Sequence, residues 1–180
     1  MAEWVIRIER IGEQRRSSDG KRRTVGSYQV FHDGVAQSGA DLAGTVAESR
    51  GPGANAPAGN GRRIEPGRYP LWTQAGAKYV TLNYRNSLNA AHIPRPGIEL
   101  KETGQRSEIL IHPGIGFLAS VGCINLCTSL PDAAEHITYA SSRRRVISVI
   151  DDMRDFLDAA FPATNGRRIP GAFAEIVGDP

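Results

Sequence analysis

The sequence predicts an α+β domain: a mainly antiparallel or mixed β-sheet followed by C-terminal helices. Three observations carry that expectation. Apolar residues recur with strand character as far as residue 127, and helical spacing replaces it between 130 and 160. The 180 residues, 40% of them hydrophobic, fit one compact domain able to bury its own core. Strands first and helices afterwards point to segregated rather than alternating elements.

Trp4, Ile6 and Ile8 alternate with Val5, Arg7 and Glu9, which is the period of a half-buried strand. Gly12 to Gly26 is strongly polar and reads as a loop. Tyr28 to Ala36 sets Asp33-Gly34 between short apolar runs, the signal for a two-residue hairpin turn. A strand follows over Leu42 to Glu48, and then Ser49 to Gly61 holds too much Gly, Pro and Asn for any regular element. Pro66-Gly67 precedes an aromatic strand through Tyr69 and Trp72, and Lys78 to Tyr84 is a second β-rich run. Ile98 to Lys101 is a short strand, and the apolar run Glu108 to His112 stops at His112-Pro113-Gly114. Leu130 to Ala140 and Val146 to Ala160 suit helices, the second with Val146, Val149, Ile150, Met153, Phe156 and Leu157 at helical spacing. Phe161-Pro162 ends it.

Composition excludes several classes. No run approaches the roughly 18 uninterrupted apolar residues of a membrane-spanning helix, so no membrane span is expected. The first ten residues carry charges where a signal peptide needs a run of roughly 7–15 apolar residues, so the expected product is made in the cytoplasm without a Sec-type address. The net charge is +3, mostly from arginine pairs and triplets such as Arg143-Arg144-Arg145. These lack interleaved aromatics and any nucleic-acid module, so they read as solvated surface and no nucleic-acid partner is expected. Cys123 and Cys127 cannot supply a disulfide framework. Along a strand, positions i and i+4 lie roughly 13 Å apart, beyond disulfide reach unless a helical turn forms there.

The chemically informative segment runs from Ile109 to Leu126. His112, at a strand end, is joined to Cys123 by a short glycine-containing loop that can bring imidazole and thiol together. A free thiol is only a few per cent thiolate at neutral pH, and a neighbouring imidazolium lowers its pKa to roughly 3.5–7.5. Closeness to His112 therefore raises the reactive fraction of Cys123 by more than about tenfold. Gly122 lets the backbone approach a substrate carbonyl, and the amides around Gly122 and Cys123 are candidates for an oxyanion hole.

The run Ser120-Val121-Gly122-Cys123-Ile124-Asn125, preceded by His112, resembles the catalytic motif of L,D-transpeptidases of the YkuD type. Ile64 to Pro70 is similar to the Pro-x-Gly-x-Tyr strand entry of such domains. Two departures, Val121 where the family carries histidine and a short His112-to-Cys123 interval, resemble the compact L,D-transpeptidase-like antibacterial effectors of type VI secretion and related phage-associated domains. The resemblance implies a β-sandwich within a single domain over 1–180, with a catalytic core at about 28–127 and a helical extension at about 130–162. It implies a cysteine acyl transfer on peptidoglycan stem peptides, needing no cofactor or metal. Cys123 is then the nucleophile and His112 the general base, oriented by the carbonyl of Pro113 or Gly114. Gly122, Ser120, Asn125 and Gly114 are the oxyanion and substrate-orienting candidates. Action in the periplasm of a target cell, after secretion-system delivery or lysis, and a cognate immunity protein follow from the same likeness.

Other readings of the same residues are weaker. Cys123, Cys127, His112 and His136 number enough for zinc, but only the cysteine half has knuckle spacing. Cys127 reads as a core residue, and His32 and His92 as loop histidines. Asp151, Asp152 and Asp155 read as a solvated helix face, and Tyr69, Trp72, Tyr79 and Tyr84 as core and rim. Alternatives to the delivered transpeptidase or carboxypeptidase are a phage or cell-wall endopeptidase and a non-catalytic wall-binding module. A papain-like hydrolase places its cysteine before its histidine, the reverse of the order here.

Overall fold

The computed structural model describes residues 1–180. Its elements are β1 (Trp4–Arg15), β2 (Arg22–His32), β3 (Val35–Ala36), β4 (Ala43–Ser49), β5 (Gly67–Thr73), β6 (Tyr79–Val80), β7 (Arg95–Pro96), β8 (Ile98–Leu100), β9 (Ile109–Pro113), β10 (Ile124–Cys127), α1 (Tyr139–Leu157) and β11 (Arg168–Val177). Around the main sheet the order is β1-β11-β5-β8-β9-β10-β4-β2, and β2 pairs again with β1. The ring of eight strands is therefore closed. It is mixed, as expected, with parallel pairs at β1–β11 and β9–β10, but it is a barrel and not a sandwich. Closure depends on β1 pairing with both its hairpin partner and the C-terminal strand, so two barrel strands lie outside the 28–127 core.

Alternation along each strand builds the interior. Trp4, Ile6 and Ile8 of β1 and Ile109 and Ile111 of β9 enter one core of buried side chains with Ile124 and Leu126 of β10. Helix α1 lies across one mouth, where β1 and β4 begin and β9 and β10 end. The Trp4 indole donates to Asp152 at 2.8 Å, and the Arg145 guanidinium donates to the Ala43 carbonyl at 3.1 Å. Val146, Val149, Ile150 and Met153 are fully buried in the same core, each burial worth roughly 1.5–3 kcal/mol. A buried Arg10–Glu48 ion pair, joined by two 2.8 Å hydrogen bonds, ties β1 to β4.

Four local expectations need correction. The polar stretch 12–26 is not a loop: β1 and β2 continue as an antiparallel ribbon to the Arg15–Arg22 pair. Polarity is tolerated there because buried Arg23 donates to Gln14 and to the carbonyls of Phe117, Asp132 and Glu135. Gly26 allows the close crossing, since a Cβ would lie 2.3 Å from the Glu9 carbonyl oxygen. Leu130 to Thr138 is not helical. Its carbonyls are taken by Arg23 and by Gln14, which reaches Leu130, while Ile137 pairs with Gly116. A single helix, α1, starts at Tyr139 and ends at Leu157, ahead of Phe161-Pro162. The strand over Lys78 to Tyr84 shortens to Tyr79–Val80, which pairs with Arg95–Pro96 as a small ribbon, and β11 was not anticipated.

Candidate active site

Neighbouring strands β9 and β10 position the two principal residues. Ile111 and Ile124 face the core and pair in register, and His112 pairs with Asn125. By alternation His112 and Asn125 share the outer face. Cys123, one residue before β10, continues the register opposite Leu110, whose N–H donates to the Cys123 Sγ at 3.3 Å. Cys123 and His112 are thus diagonal neighbours, with Cα atoms about 7–8 Å apart. No hydrogen bond joins the two side chains; the thiol instead donates to the Glu108 carbonyl at 3.4 Å.

His112 is only 2% exposed because the β6–β7 ribbon covers it. The Tyr79 ring lies 4.4 Å from the imidazole, centroid to centroid, tilted by 40°. His112 Nδ1 is 2.8 Å from the Pro113 carbonyl, which fixes that nitrogen as the N–H donor and leaves the Nε2 lone pair free. Of the two orienting carbonyls suggested by the resemblance, Pro113 fills the role.

Burial pushes His112 down to about 4, helped by the Arg95 charge and opposed by the Pro113 hydrogen bond. Burial also raises Cys123 above its ordinary value, against the Leu110 amide and the Arg106 charge. At neutral pH both groups are uncharged. The expected thiolate beside an imidazolium does not form in this resting arrangement, because desolvation penalises both charges. What the geometry supplies is a neutral base close to a neutral thiol.

The supporting residues have narrower roles than their motif implies. Gly122 has φ +96°, and a Cβ there would lie 1.9 Å from Arg106 Nη2, so only glycine fits. Its N–H is committed to Ser49 Oγ at 2.8 Å, and so is not free for an oxyanion. Cys123 N–H donates to no protein acceptor and is the remaining candidate of the two. Ser120 Oγ donates to the Cys123 carbonyl at 3.2 Å and braces the loop. Asn125 is fully buried and donates to the His112 carbonyl at 3.2 Å, so it supports β9 and does not face a substrate. Gly114 leaves room for it, since a Cβ would meet Asn125 at 2.8 Å. The Gly114 N–H goes to Ser142 Oγ at 2.8 Å, and that hydroxyl donates to the Leu126 carbonyl, bolting the start of α1 to both strands.

Cys123 opens into a cleft of about 350 Å³ bordered by Gln74, Lys78, Tyr79, Glu108 and Leu110, a size suited to a short peptide segment. Ser49 and Arg106 were not legible in the sequence because each reaches the site from a distant segment, and the Leu110 amide was not because only the β9–β10 register sets it against Cys123. Arg106 is anchored on the carbonyls of Ala54 and Arg62 at 3.1 and 2.7 Å. Cys127, the second thiol, is buried with Ala47, Leu130 and Ile137, donates to the Thr45 carbonyl at 3.4 Å, and is pushed up to about 12 by burial. The four zinc candidates do not converge: no three His, Cys, Asp or Glu side chains meet. No protein-family model, curated protein or solved structure matches this chain.

Proposed function

We propose that this protein is a cysteine-dependent acyl transferase acting on peptidoglycan stem peptides, with L,D-transpeptidase or L,D-carboxypeptidase character, and that it serves as a delivered antibacterial effector with a cognate immunity protein. The observation that carries the chemistry is the buried His112, locked through Nδ1 on Pro113, on the same outer face as the cleft-lining Cys123. The thiol exchanges its bond to the Glu108 carbonyl for one to His112 Nε2 and attacks the scissile carbonyl as the imidazole takes its proton. Developing negative charge is met by the Cys123 N–H and by the positive field of Arg106. The tetrahedral adduct collapses to a thioester, and the departing amine takes the proton from His112. Water then releases an acid, or an amine of a second stem releases a new peptide. The peptide substrate class and the delivery route rest on the resemblance of Ser120 to Asn125.

The test is digestion of purified muropeptides by wild type, Cys123→Ala and His112→Ala, with products resolved by mass spectrometry. Wild type is expected to change the stem peptides and both variants to leave them intact. Equal turnover by Cys123→Ala refutes the assignment. One observation favours a non-catalytic wall-binding module instead: the thiol is hydrogen-bonded to main chain on both sides and not to the imidazole. Binding of stem peptides without turnover by wild type is the result that module requires.

A further inference from the structure

Three arginines, Arg85, Arg95 and Arg143, gather beyond Tyr79, the residue that borders the Cys123 cleft. Arg95, on β7, donates through Nη1 to the Tyr79 hydroxyl at 2.9 Å. Arg143, near the start of α1, donates through Nη2 to the Arg85 carbonyl at 3.1 Å and lies over the Tyr84 ring. The Arg85 N–H in turn donates to the Pro94 carbonyl at 2.7 Å, so the residue gripped by Arg143 is tied to the one preceding Arg95. Both cations also reach Tyr139: burial raises its phenol, and Arg95 and Arg143 pull it back. Neither they nor Arg85 take part in an ion pair.

Three other buried guanidinia in this chain are matched. Arg10 has Glu48, Arg63 has Asp179, and Arg23 is saturated by one side-chain and three main-chain acceptors. Arg143 is only 7% exposed, yet its Nε has no acceptor, and the same holds for Arg95 Nε and Ser141 Oγ; Arg145 Nε also lacks one, but that guanidinium faces Asp41. Each guanidinium carries five N–H donors, and Arg95 and Arg143 use one apiece on protein acceptors. Helix α1 adds donors and no acceptor, for Thr138 makes no side-chain cap and the first turn holds no acidic residue. Donors left unpaired in a buried setting are costly unless a ligand brings acceptors.

We infer that Arg95 and Arg143, with exposed Arg85 beside them, form a subsite for the C-terminal carboxylate of the peptide whose scissile bond lies at Cys123. The forked guanidinium matches the two oxygens of a carboxylate. Tyr79 makes the connection: it borders the cleft with Cys123, packs its ring at a tilt against His112, and accepts a hydrogen bond from Arg95 on its hydroxyl oxygen. That the anion belongs to a stem peptide rests on the proposed function, whereas the surplus of donors does not.

The experiment uses the full chain carrying Cys123→Ala, so that binding is read without turnover. N-acetyl-D-alanine and its C-terminal amide are titrated while the arginine Nε–Hε signals are followed by NMR. The acid is expected to bind at least tenfold more tightly than the amide and to shift the Arg95 and Arg143 signals. Adding Arg95→Gln or Arg143→Gln is expected to bring acid and amide within about twofold, with Arg143→Lys as the variant that keeps the charge should glutamine unfold the helix start. Equal binding of acid and amide by the parent, or a preference that survives both glutamine variants, overturns the subsite. Inorganic phosphate moving those signals when the peptide acid does not overturns the carboxylate assignment. Acid preference alongside a wild type that leaves muropeptides intact supports the subsite and refutes only the proposed reaction.

Discussion

Burial of His112 has a measurable consequence for stability. Its imidazole is held at about 4 by desolvation, with Arg95 adding to the effect, against an ordinary value of 6.5. Between those two values the unfolded chain binds a proton that the folded chain refuses, so stability falls as pH drops from 6.5 through about 4 and is unaffected above that window. At 1.36 kcal/mol per unit, the full loss from this one group is about 3 kcal/mol. Urea unfolding of wild type and His112→Gln between pH 8 and pH 4 isolates the contribution, because every other titrating group is common to both. Glutamine keeps a polar side chain near the Pro113 carbonyl but takes up no proton. The gap between the two stability curves is expected to change in favour of the variant by about 3 kcal/mol as the pH is lowered across the window. Parallel curves would mean that His112 titrates as an exposed histidine does, and the neutral-base mechanism would lose its foundation.

Other consequences are equally direct. Gly122→Ala must relieve both a left-handed backbone and a clash with Arg106; its thermal unfolding midpoint is expected to fall, and reactivity at Cys123 with it, whereas an unchanged midpoint would show that the loop can relax. Glu48→Gln leaves the fully buried Arg10 without a counter-charge, with an expected loss of roughly 3–5 kcal/mol in urea unfolding; a loss under about 1 kcal/mol refutes the buried pair. Alkylation of Cys123 by iodoacetamide, followed by peptide mass, is expected to rise with pH to beyond the ordinary thiol range, because burial raises this thiol. Fast labelling of Cys123 at pH 7 contradicts that.

What the sequence disclosed followed from local period and turn chemistry. Trp4, Ile6 and Ile8 advertised a strand, and Asp33 and Gly34, both at positive φ, make the two-residue turn between β2 and β3. Barrel closure was hidden, since it depends on β1 meeting a strand more than 150 residues away, and no local pattern encodes a partner. The polar ribbon at Arg15 and Arg22 misled for a different reason. Burial of Arg23 is affordable only because carbonyls from 117, 132 and 135 converge on it, and those contacts are tertiary. At the site, the motif marked Cys123 and His112, but register decided that Asn125 supports the backbone of His112. A hydroxyl contributed by Ser49 decided that the Gly122 amide is occupied.

The proposed chemistry requires Cys123 to form an acyl bond with assistance from His112. Acid-quenched reactions of wild type with muropeptides, read by intact-protein mass and peptide mapping, test it most directly. A transient adduct of stem-peptide mass is expected, confined to the peptide that carries Cys123 and absent in His112→Ala. Turnover with no adduct at any time point, together with full activity of Cys123→Ala, would rule out catalysis through this thiol.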